Sequence, residues 1–320
     1  MGLGVCVSLF RCGSKVKLVT APAVRQKAWV ASDSHNGHTS ARRAQRQRGK
    51  TVIRIPHHHA HASAVAGEFP QERRWLCFTW DAAGLGGDCI LCGGEAMLGQ
   101  PGGWSRIATF RPFAPPGGEA AACEPWRSAA ALAWELGLDW TPSGLDVALA
   151  KAAWRSRLNC PATSSVGRLF DAASAFLGLV QQASYDGEGP MAVEAIATSG
   201  SAMEDAVSLP LTTRADGVWE ADWAPLVRLL LNAAWPLRRR AAAFHASLAN
   251  TLLTQVIVAG MVHGDFAVGL AGGVFQNRYL SEMVLTRLRS AGFRAYLPVS
   301  VPCNHAGLSF GQLIEAAARP

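Results

Sequence analysis

Residues 266–277 have the sequence Phe-Ala-Val-Gly-Leu-Ala-Gly-Gly-Val-Phe-Gln-Asn, an apolar run that leads into a pair of glycines. The run predicts a buried β-strand, and the segment 278–291 that follows has the pattern of a helix. A second apolar run, 74–79, also leads into a glycine-rich turn. Strand, glycine turn and helix in succession are typical of α/β domains that bind phosphate groups at their strand ends. The sequence therefore predicts an α/β fold with a phosphate-bearing ligand at these turns.

Two groups of glycines are candidates for holding that phosphate. The first contains Gly84, Gly86 and Gly87, and the second is the pair Gly272 and Gly273. Because glycine has no side chain, its backbone N–H group can approach an oxygen closely. Each group alone is a weak indication, since glycines are also typical of ordinary turns.

The same rules predict the other elements of the chain. A β-branched run stops at a proline that suits the first turn of a helix, and the middle of the chain has Ala and Leu at helical spacing. The predicted elements are strands at 51–55 and 293–298, a tight turn at Gly93 and Gly94, and helices at 57–68, within 126–197, at 241–263 and after 307.

Four histidines, His57, His58, His59 and His61, lie at the start of the predicted helix 57–68. Residues four apart share a helix face, so the imidazoles of His57 and His61 can bind one metal ion together. A hydrolytic zinc helix has a glutamate directly after its first histidine; here His58 stands there, which excludes a metalloprotease. The alternative is a surface cluster of histidines that binds nothing.

Asp81 is the candidate for a third metal ligand. It follows the strand 74–79, where a carboxylate from a distant element could complete the site. The alternative is a turn residue that accepts hydrogen bonds from nearby backbone N–H groups.

The composition, 49% hydrophobic and 17% charged, favours a soluble globular protein. The longest apolar stretch, 256–275, is interrupted by polar residues around Asp265, so we expect no membrane span. The start of the chain does not resemble a secretory signal, and we expect a cytoplasmic protein. The eight cysteines are irregularly spaced, and Cys89 and Cys92 lack the second pair that a zinc knuckle needs.

Part of the net charge of +7 comes from a local run of basic residues. Such a run is usually a solvated helix face, although it could bind RNA or an acidic protein. No aromatic residue interrupts it, so we do not expect a nucleic-acid ligand. The residues are Arg42, Arg43, Arg46, Arg48, Lys50 and Arg54.

Eight motifs, in this order, resemble one family: the C-terminal transferase region of HypF, the carbamoyltransferase of NiFe-hydrogenase maturation, which is related to the tRNA threonylcarbamoyltransferase TsaD. The resemblance extends from Trp29 to the end of the chain. The motifs are Asp33-x-His35, His57-His58-His59-Ala60-His61, Asp81 with its glycine turn, Gly93-Gly94-Glu95, Gly167-Arg168-Leu169-Phe170-Asp171, Ser184-Tyr185-Asp186-Gly187-Glu188, Gly272-Gly273-Val274-Phe275-Gln276-Asn277 and Gly307-Leu308-Ser309-Phe310-Gly311-Gln312.

The resemblance implies a two-lobed, actin-like ATPase fold with a nucleotide and a metal ion between the lobes. In this family a separate domain makes carbamoyl-adenylate from carbamoyl phosphate and ATP, and this region transfers the carbamoyl group to the C-terminal cysteine of HypE. The product is the precursor of the cyanide ligands of the hydrogenase. The resemblance thus implies a divalent metal (iron or zinc), carbamoyl-adenylate or ATP, a HypE-like acceptor and a separate source of carbamoyl-adenylate.

By the same resemblance, His57, His61 and Asp81 match metal ligands and are the expected catalytic residues. A carbonyl group that faces a metal ion is polarised, which stabilises charge on its oxygen during thiolate attack. Five residues match positions that hold the nucleotide in the family: Gly167, Asp171, Gly272, Gly273 and Asn277. Gly84 and Gly86 of the first glycine turn are further candidates for binding the nucleotide.

Two of the nucleotide-holding residues have simpler alternatives. Asp171 can accept hydrogen bonds from ribose hydroxyls, or it can be a surface aspartate of a helix. Asn277 can bind an adenine or ribose edge, and it can also cap the helix that follows.

The sequence departs from the family at the metal site. The family usually has a further aspartate ligand where His305 stands, and an imidazole there favours zinc or another borderline metal. The turn after Asp81 contains Ala82 and Ala83, where the relatives usually have a glycine and a small or hydroxyl residue.

We expect four segments: a divergent N-terminal segment (1–28), a first lobe with the histidine metal site (29–110), a helix-rich second lobe with nucleotide-binding turns (111–304) and a C-terminal helix that returns to the cleft (305–320). The family's acylphosphatase-like, zinc and adenylating domains are not in the sequence. One alternative is therefore a truncated, non-catalytic HypF fragment. Another is a threonylcarbamoyltransferase-like enzyme whose basic run contacts tRNA.

Overall fold

Strands and helices occur in groups along most of the described chain, and they alternate singly only from residue 267 onwards. The computed structural model describes residues 5–6, 9–12, 15–18, 29–34, 42–44, 46, 50–85, 91–145, 147–197 and 205–319. The strands are β1 (Val5–Cys6), β2 (Leu9–Cys12), β3 (Lys15–Leu18), β4 (Trp29–Asp33), β5 (Thr51–Ile55), β6 (Trp75–Leu85), β7 (Leu91–Gln100), β8 (Gly103–Phe110), β9 (Leu211–Thr213), β10 (Trp219–Ala221), β11 (Ala267–Ala271) and β12 (Ala295–Tyr296). The α-helices are α1 (His57–Glu68), α2 (Ala120–Cys123), α3 (Pro125–Glu135), α4 (Ala148–Arg155), α5 (Val166–Phe176), α6 (Glu188–Ile196), α7 (Ala224–Leu230), α8 (Leu237–His263), α9 (Arg278–Ser290) and α10 (Leu308–Ala318).

Most strands belong to one seven-stranded mixed sheet with the order β12-β11-β6-β7-β8-β10-β9. Strand β6 is parallel to β11 and antiparallel to β7. A smaller parallel sheet has the order β1-β4-β5, and β2 and β3 form a separate antiparallel pair. The predicted α/β class is confirmed.

Strand β6 separates two apolar layers, because its side chains alternate between the two faces of the sheet. Leu76, Phe78 and Trp80 belong to the main core, together with apolar side chains of α3, α5 and α8. Trp75 and Cys77 face the other way, into a smaller core with α1. Helix α1 therefore covers one face of the large sheet, and the helix-rich part of the chain covers the other.

Helices α1 and α10 connect the two sheets. Helix α1 packs on β6 and β11 and against α10, and α10 packs on the strands of the small sheet. Ala60 of α1 and Ala316 of α10 share a cluster with Ala31 and Ile55 of that sheet. The histidine-bearing helix is thereby held from both sides.

The structure corrects one prediction about glycines. Gly93 and Gly94 do not form a tight turn but lie inside β7. A Cβ atom at Gly93 would come within 2.5 Å of the Asp81 carbonyl oxygen, and one at Gly94 would collide with the Ser164 carbonyl. These glycines are required for close packing of neighbouring backbones.

Strand β6 also continues past Asp81 to Leu85, with an irregularity in its pairing between Trp80 and Gly84. The turn predicted at Gly86 and Gly87 lies outside the described residues, as does Cys89.

The predicted boundary at residue 110 runs through the large sheet, since β6 to β8 come before it and β9 to β12 after it. The four-segment division itself stays a prediction.

Helix α8 is long and apolar enough to span a membrane, but 72% of its most apolar window is buried inside the protein. A core helix has the same properties, so α8 does not indicate a membrane protein.

Candidate metal and nucleotide site

Helix α1 begins directly after Pro56, whose backbone conformation suits the start of a helix. Nine of its twelve residues are buried, because it lies between the large sheet and α10. Two of the buried residues are His57 and His61, which are 6% and 1% exposed. Their imidazoles, one helical turn apart, point to Asp81 in β6, and their ring centroids are 4.9 Å apart.

Three imidazoles converge on one carboxylate oxygen, Oδ2 of Asp81. The Nε2 atoms of His57, His61 and His305 lie 3.3, 3.0 and 2.8 Å from it. One potential ligand atom from each of the four residues lies within 4.8 Å of all the others. Nitrogen donors with a carboxylate form a set that suits zinc or divalent iron. The chemistry of these residues therefore fits a metal ion, and their role as ligands stays a prediction.

Asp33, at the end of β4, orients His57 from the opposite side. Its Oδ2 lies 3.0 Å from Nδ1 of His57. Burial lowers the pKa of His57, but hydrogen bonds to Asp33 and Asp81 outweigh this effect and raise it to about 9. A carboxylate bonded to the second ring nitrogen is the usual way of orienting a metal-binding histidine. Asp33 belongs to the Asp33-x-His35 motif, but no role for it was predicted from the sequence.

The pKa values of His61 and Asp81 are also shifted, and their surroundings explain the direction of each shift. Burial lowers the pKa of His61 to about 4. Burial would raise the pKa of Asp81, but bonds to His305, His57 and His61 hold it well below its usual range. Asp81 is therefore an ionised carboxylate in a buried place, which a cation can compensate.

A second group of side chains, His58, Cys92 and Glu95, lies beside the first and is fully buried. Nε2 of His58 is 3.7 Å from the carboxylate of Glu95, which also accepts hydrogen bonds from Thr109 and Ser164. No sequence pattern predicted roles for His58 and Glu95. The neighbouring position on the helix directs His58 away from Asp81, so it does not join the first cluster.

A cavity of about 670 Å³ opens next to Asp81 and His305. Gly167, Asp171, Gly273 and Asn277, four of the residues predicted to hold a nucleotide, also line it. The structure thus brings the predicted metal ligands and most of the predicted nucleotide residues to one cleft.

Asp171 is not a surface residue. It lies on α5, 6% exposed, and Nη1 of Arg168 donates to its Oδ2 at 2.6 Å. Burial raises the pKa of Asp171 to about 7, although Arg168 opposes this. The alternative of an exposed helix aspartate is therefore wrong.

Asn277 caps α9, since its Oδ1 accepts a hydrogen bond from the backbone of Leu280 at 2.8 Å. Its Nδ2 lies 2.9 Å from Nε2 of His245, whose Nδ1 is 2.7 Å from the Ala241 carbonyl. Nδ1 of His245 must donate to that carbonyl, so Nε2 accepts from the Asn277 amide. Burial lowers the pKa of His245 to about 4, which keeps the ring neutral. His245, which the sequence analysis did not single out, therefore orients Asn277 beside the cleft.

The glycines that were predicted to hold the phosphate differ in their distance from the cleft and in the contacts of their backbone N–H groups. Gly272 has a φ of +99°, and its N–H donates to the Cys303 carbonyl at 2.7 Å. The N–H of Gly273 points to Oδ1 of Asp81, at 3.4 Å. Gly84 lies against the rings of His57 and His58 and lines a different cavity, of about 720 Å³. Gly86 lies outside the part of the chain that the structure describes.

Fold and site together define an α/β protein of the ATPase-like class with a histidine and aspartate cluster at its cleft. Residues 77–312 match the family model "Carbamoyltransferase, Kae1-like Domain, second subdomain", and residues 12–68 match "HypF Kae1-like domain". The chain belongs to the HypF carbamoyltransferase family. The resemblance stated from the motifs is confirmed.

Curated relatives agree with this assignment. The chain is 34% identical to the "Carbamoyltransferase HypF homolog" of Cupriavidus necator, over 91% of the chain and 78% of the relative. It is 35% identical to the "Carbamoyltransferase HypF" of Rhodobacter capsulatus, over 91% of the chain and 39% of the relative. It is 31% identical to "Carbamoyltransferase HypF2" of Cupriavidus necator, over 91% of the chain and 40% of the relative. The chain therefore spans well under half the length of the last two proteins.

Two solved structures share the fold. A full-length HypF in a phosphate- and nucleotide-bound form superposes with a TM-score of 0.82 at 24% identity, covering 91% of this chain and 39% of that one. HypF from T. kodakarensis superposes with a TM-score of 0.78 at 20% identity, covering 90% of this chain and 40% of that one. The predicted ATPase-type fold is confirmed.

Proposed function

We propose that this chain transfers a carbamoyl group from carbamoyl-adenylate to the C-terminal cysteine of a HypE-like partner in NiFe-hydrogenase maturation, in the cytoplasm. The observation that carries the proposal is the shared cleft. Asp81 and His305 of the metal-ligand cluster line the same cavity as Asp171 and Asn277, and the imidazoles of His57 and His61 contact Asp81. A separate domain of the same protein, or another protein, would supply the carbamoyl-adenylate.

His57, His61, Asp81 and His305 would hold divalent iron or zinc, which supplies polarisation of the carbamoyl carbonyl when bound. We assign these residues as metal ligands because three imidazole nitrogens lie close to one buried carboxylate. Asp33 holds the ring of His57 in a fixed orientation.

The residues of the cleft that do not belong to the metal cluster would bind the nucleotide. Asp171 would accept hydrogen bonds from ribose hydroxyls, and the backbone N–H group of Gly273, which lines the cavity, would lie near the phosphate of the nucleotide. Gly272, whose N–H donates to the Cys303 carbonyl, would shape this turn. Asn277, oriented by His245, would position the sugar or the base. A nucleotide ligand is supported by one HypF structure, which is described as phosphate- and nucleotide-bound.

The reaction replaces one acyl bond with another. The acceptor cysteine enters as a thiolate, having lost its proton to solvent, and its sulfur attacks the carbamoyl carbon. A C–S bond forms, the C–O bond to the phosphate of AMP breaks, and AMP leaves with the bonding electron pair. The chain contributes by holding donor and acceptor together and by excluding water from the mixed anhydride.

The test is direct transfer. The protein is loaded with iron or zinc and incubated with preformed carbamoyl-adenylate and a HypE-like acceptor, which is then weighed by mass spectrometry. We expect one added carbamoyl group on the terminal cysteine, and none on an acceptor whose terminal cysteine is replaced by serine. An acceptor of unchanged mass would contradict the proposal.

A further inference from the structure

The cavity that would receive the nucleotide has a strongly acidic wall. Asp81, Asp171, Asp186 and Glu194 all line it. A phosphate that enters such a cavity is repelled unless cations compensate its charge. Among the described residues that line this cavity, Arg168 is the one lysine or arginine.

Arg168 is held in place by three parts of the chain. It lies in the first turn of α5 and is 7% exposed. Its Nη1 donates to Asp171 at 2.6 Å and to the Ala121 carbonyl at 3.0 Å, and its Nε points to the Ala82 carbonyl at 3.5 Å. The guanidinium is therefore pre-oriented beside the residue that follows Asp81.

Arg168 also borders both of the cavities described above. It lines the 670 Å³ cavity with Asp171, and it lines the 720 Å³ cavity with His57 and Asp33. Ala82 is the other described residue common to both. The positive charge thus lies where the two cavities meet, next to the metal-ligand candidates.

We propose that Arg168 binds the phosphate group of the nucleotide, and that it exchanges its contact with Asp171 for that phosphate. This inference rests on the proposed function, since it assigns a residue to the phosphate of the same ligand. A guanidinium is always charged and presents forked donors that match a phosphate. Once the phosphate takes its place, Asp171 is released to accept from the ribose hydroxyls.

The raised pKa of Asp171 is consistent with this exchange. Because its pKa is about 7, Asp171 is only partly ionised at neutral pH and leaves part of the charge on Arg168 uncompensated. A buried cation without full compensation favours an incoming anion.

The experiment compares ligands with and without a phosphate. The metal-loaded full chain is titrated calorimetrically with AMP, adenosine and inorganic phosphate, and the same is done for Arg168→Gln and Arg168→Lys. We expect Arg168→Gln to weaken AMP binding by about 10- to 100-fold while adenosine binding stays unchanged. Arg168→Lys should recover part of the AMP affinity, because an ammonium keeps the charge but not the fork.

Two variants serve as controls. Arg127→Gln removes an arginine that also pairs with a carboxylate three residues away, Glu124, but does not line this cavity, and it should change neither affinity. Asp171→Asn should weaken adenosine binding through the lost ribose contact and weaken AMP binding less, because it also removes the carboxylate that competes with the phosphate for Arg168. Thermal unfolding of each variant reports whether the fold is retained, and Arg168→Lys decides the question if Arg168→Gln does not fold.

The outcomes are distinct. Equal losses of AMP and adenosine affinity in the Arg168 variants would mean that Arg168 only organises the cavity, and they would overturn the inference. Unchanged AMP affinity would also overturn it. If the wild-type chain binds neither AMP nor adenosine, the proposed function is contradicted. In that case, inorganic phosphate that binds to the wild-type chain but not to Arg168→Gln would still support an anion site at Arg168.

Discussion

Helix α1 has two faces whose histidines have different surroundings. On the first, which we call the cleft face, His57 and His61 converge on Asp81. On the second, the anchor face, His59 lies 3.5 Å from the carboxylate of Glu315 on α10, and Ser63 donates to the same carboxylate at 2.8 Å. Four histidines in five positions are therefore not one ligand set. The helical period separates them, so that one face serves the site and the other attaches the helix to its neighbour.

The largest expected effect is on the cleft face. Replacing both His57 and His61 by alanine should reduce carbamoyl transfer by at least about a hundredfold, because two of the four metal-ligand candidates are lost. Metal content, measured by elemental analysis, should fall from about one equivalent per chain towards zero.

The control for that variant is His59→Gln on the anchor face, which should retain both metal and transfer. Circular dichroism shows whether the double variant stays folded. If it remains folded with full metal content, the assignment of the cleft face is wrong.

The next largest effect is expected where the anchor face meets α10. Gly311 lies so close to α1 that a Cβ atom there would collide with the Ala60 carbonyl. Gly311→Ala should force the two helices apart and lower the free energy of unfolding by about 1 to 3 kcal/mol, measured by urea denaturation. Gly103→Ala is the matched control, since a Cβ there meets nothing within 4 Å, and its effect should stay within about 0.5 kcal/mol. Equal effects of both changes would contradict the close helix packing.

A smaller, pH-dependent effect is expected at Glu315. Burial would raise its pKa, but bonds from His59, Gly102 and Ser63 outweigh burial and lower it to about 2. Because the pKa is lower in the folded state, the ionised carboxylate stabilises the protein above about pH 4.5, and this contribution is lost as the pH falls towards 2.

Glu315→Gln should therefore cost about 1 to 2 kcal/mol of unfolding free energy at pH 7, and the difference from wild type should shrink as the pH approaches 2. Urea denaturation across this range measures it. The control is Glu282→Gln, which removes an exposed pair with Arg278 and should change little at any pH. A cost at Glu315 that does not depend on pH would contradict this account.

The smallest effect is expected at His305, the most exposed member of the metal cluster, with a side chain 55% exposed. His305→Ala should weaken metal affinity by about tenfold, much less than the loss of both α1 histidines, because the buried ligands remain. His305→Asp, which introduces the carboxylate that the resemblance to the family leads us to expect there, should keep the affinity and shift preference away from zinc towards metals that favour oxygen ligands. Competition with a chelator measures both. An alanine variant that loses all metal would show that the exposed ring is as important as the buried ones.

Much of this molecule follows from local sequence. The strand 51–55, the helix that starts after Pro56 and the helix at 278–290 depend on periodicity, on a proline that stops a strand and on an asparagine that caps a helix. The pairing of His57 with His61 follows from the helical period alone. The ordered motifs were sufficient to identify the family, because each marks a position where backbone and chemistry constrain the residue.

Other features depend on which chain segments meet, and only the tertiary structure decided them. Gly93 and Gly94 look like a turn in the sequence, yet they let β7 pass close to the carbonyls of Asp81 and Ser164. The contacts of Asp33 with His57 and of His245 with Asn277 join residues that are 24 and 32 positions apart in the sequence. No local sequence pattern predicts such contacts. The sequence determined which residues can do chemistry and on which elements they lie. Packing decided which of them face one another, because distances across a core depend on all the side chains between them.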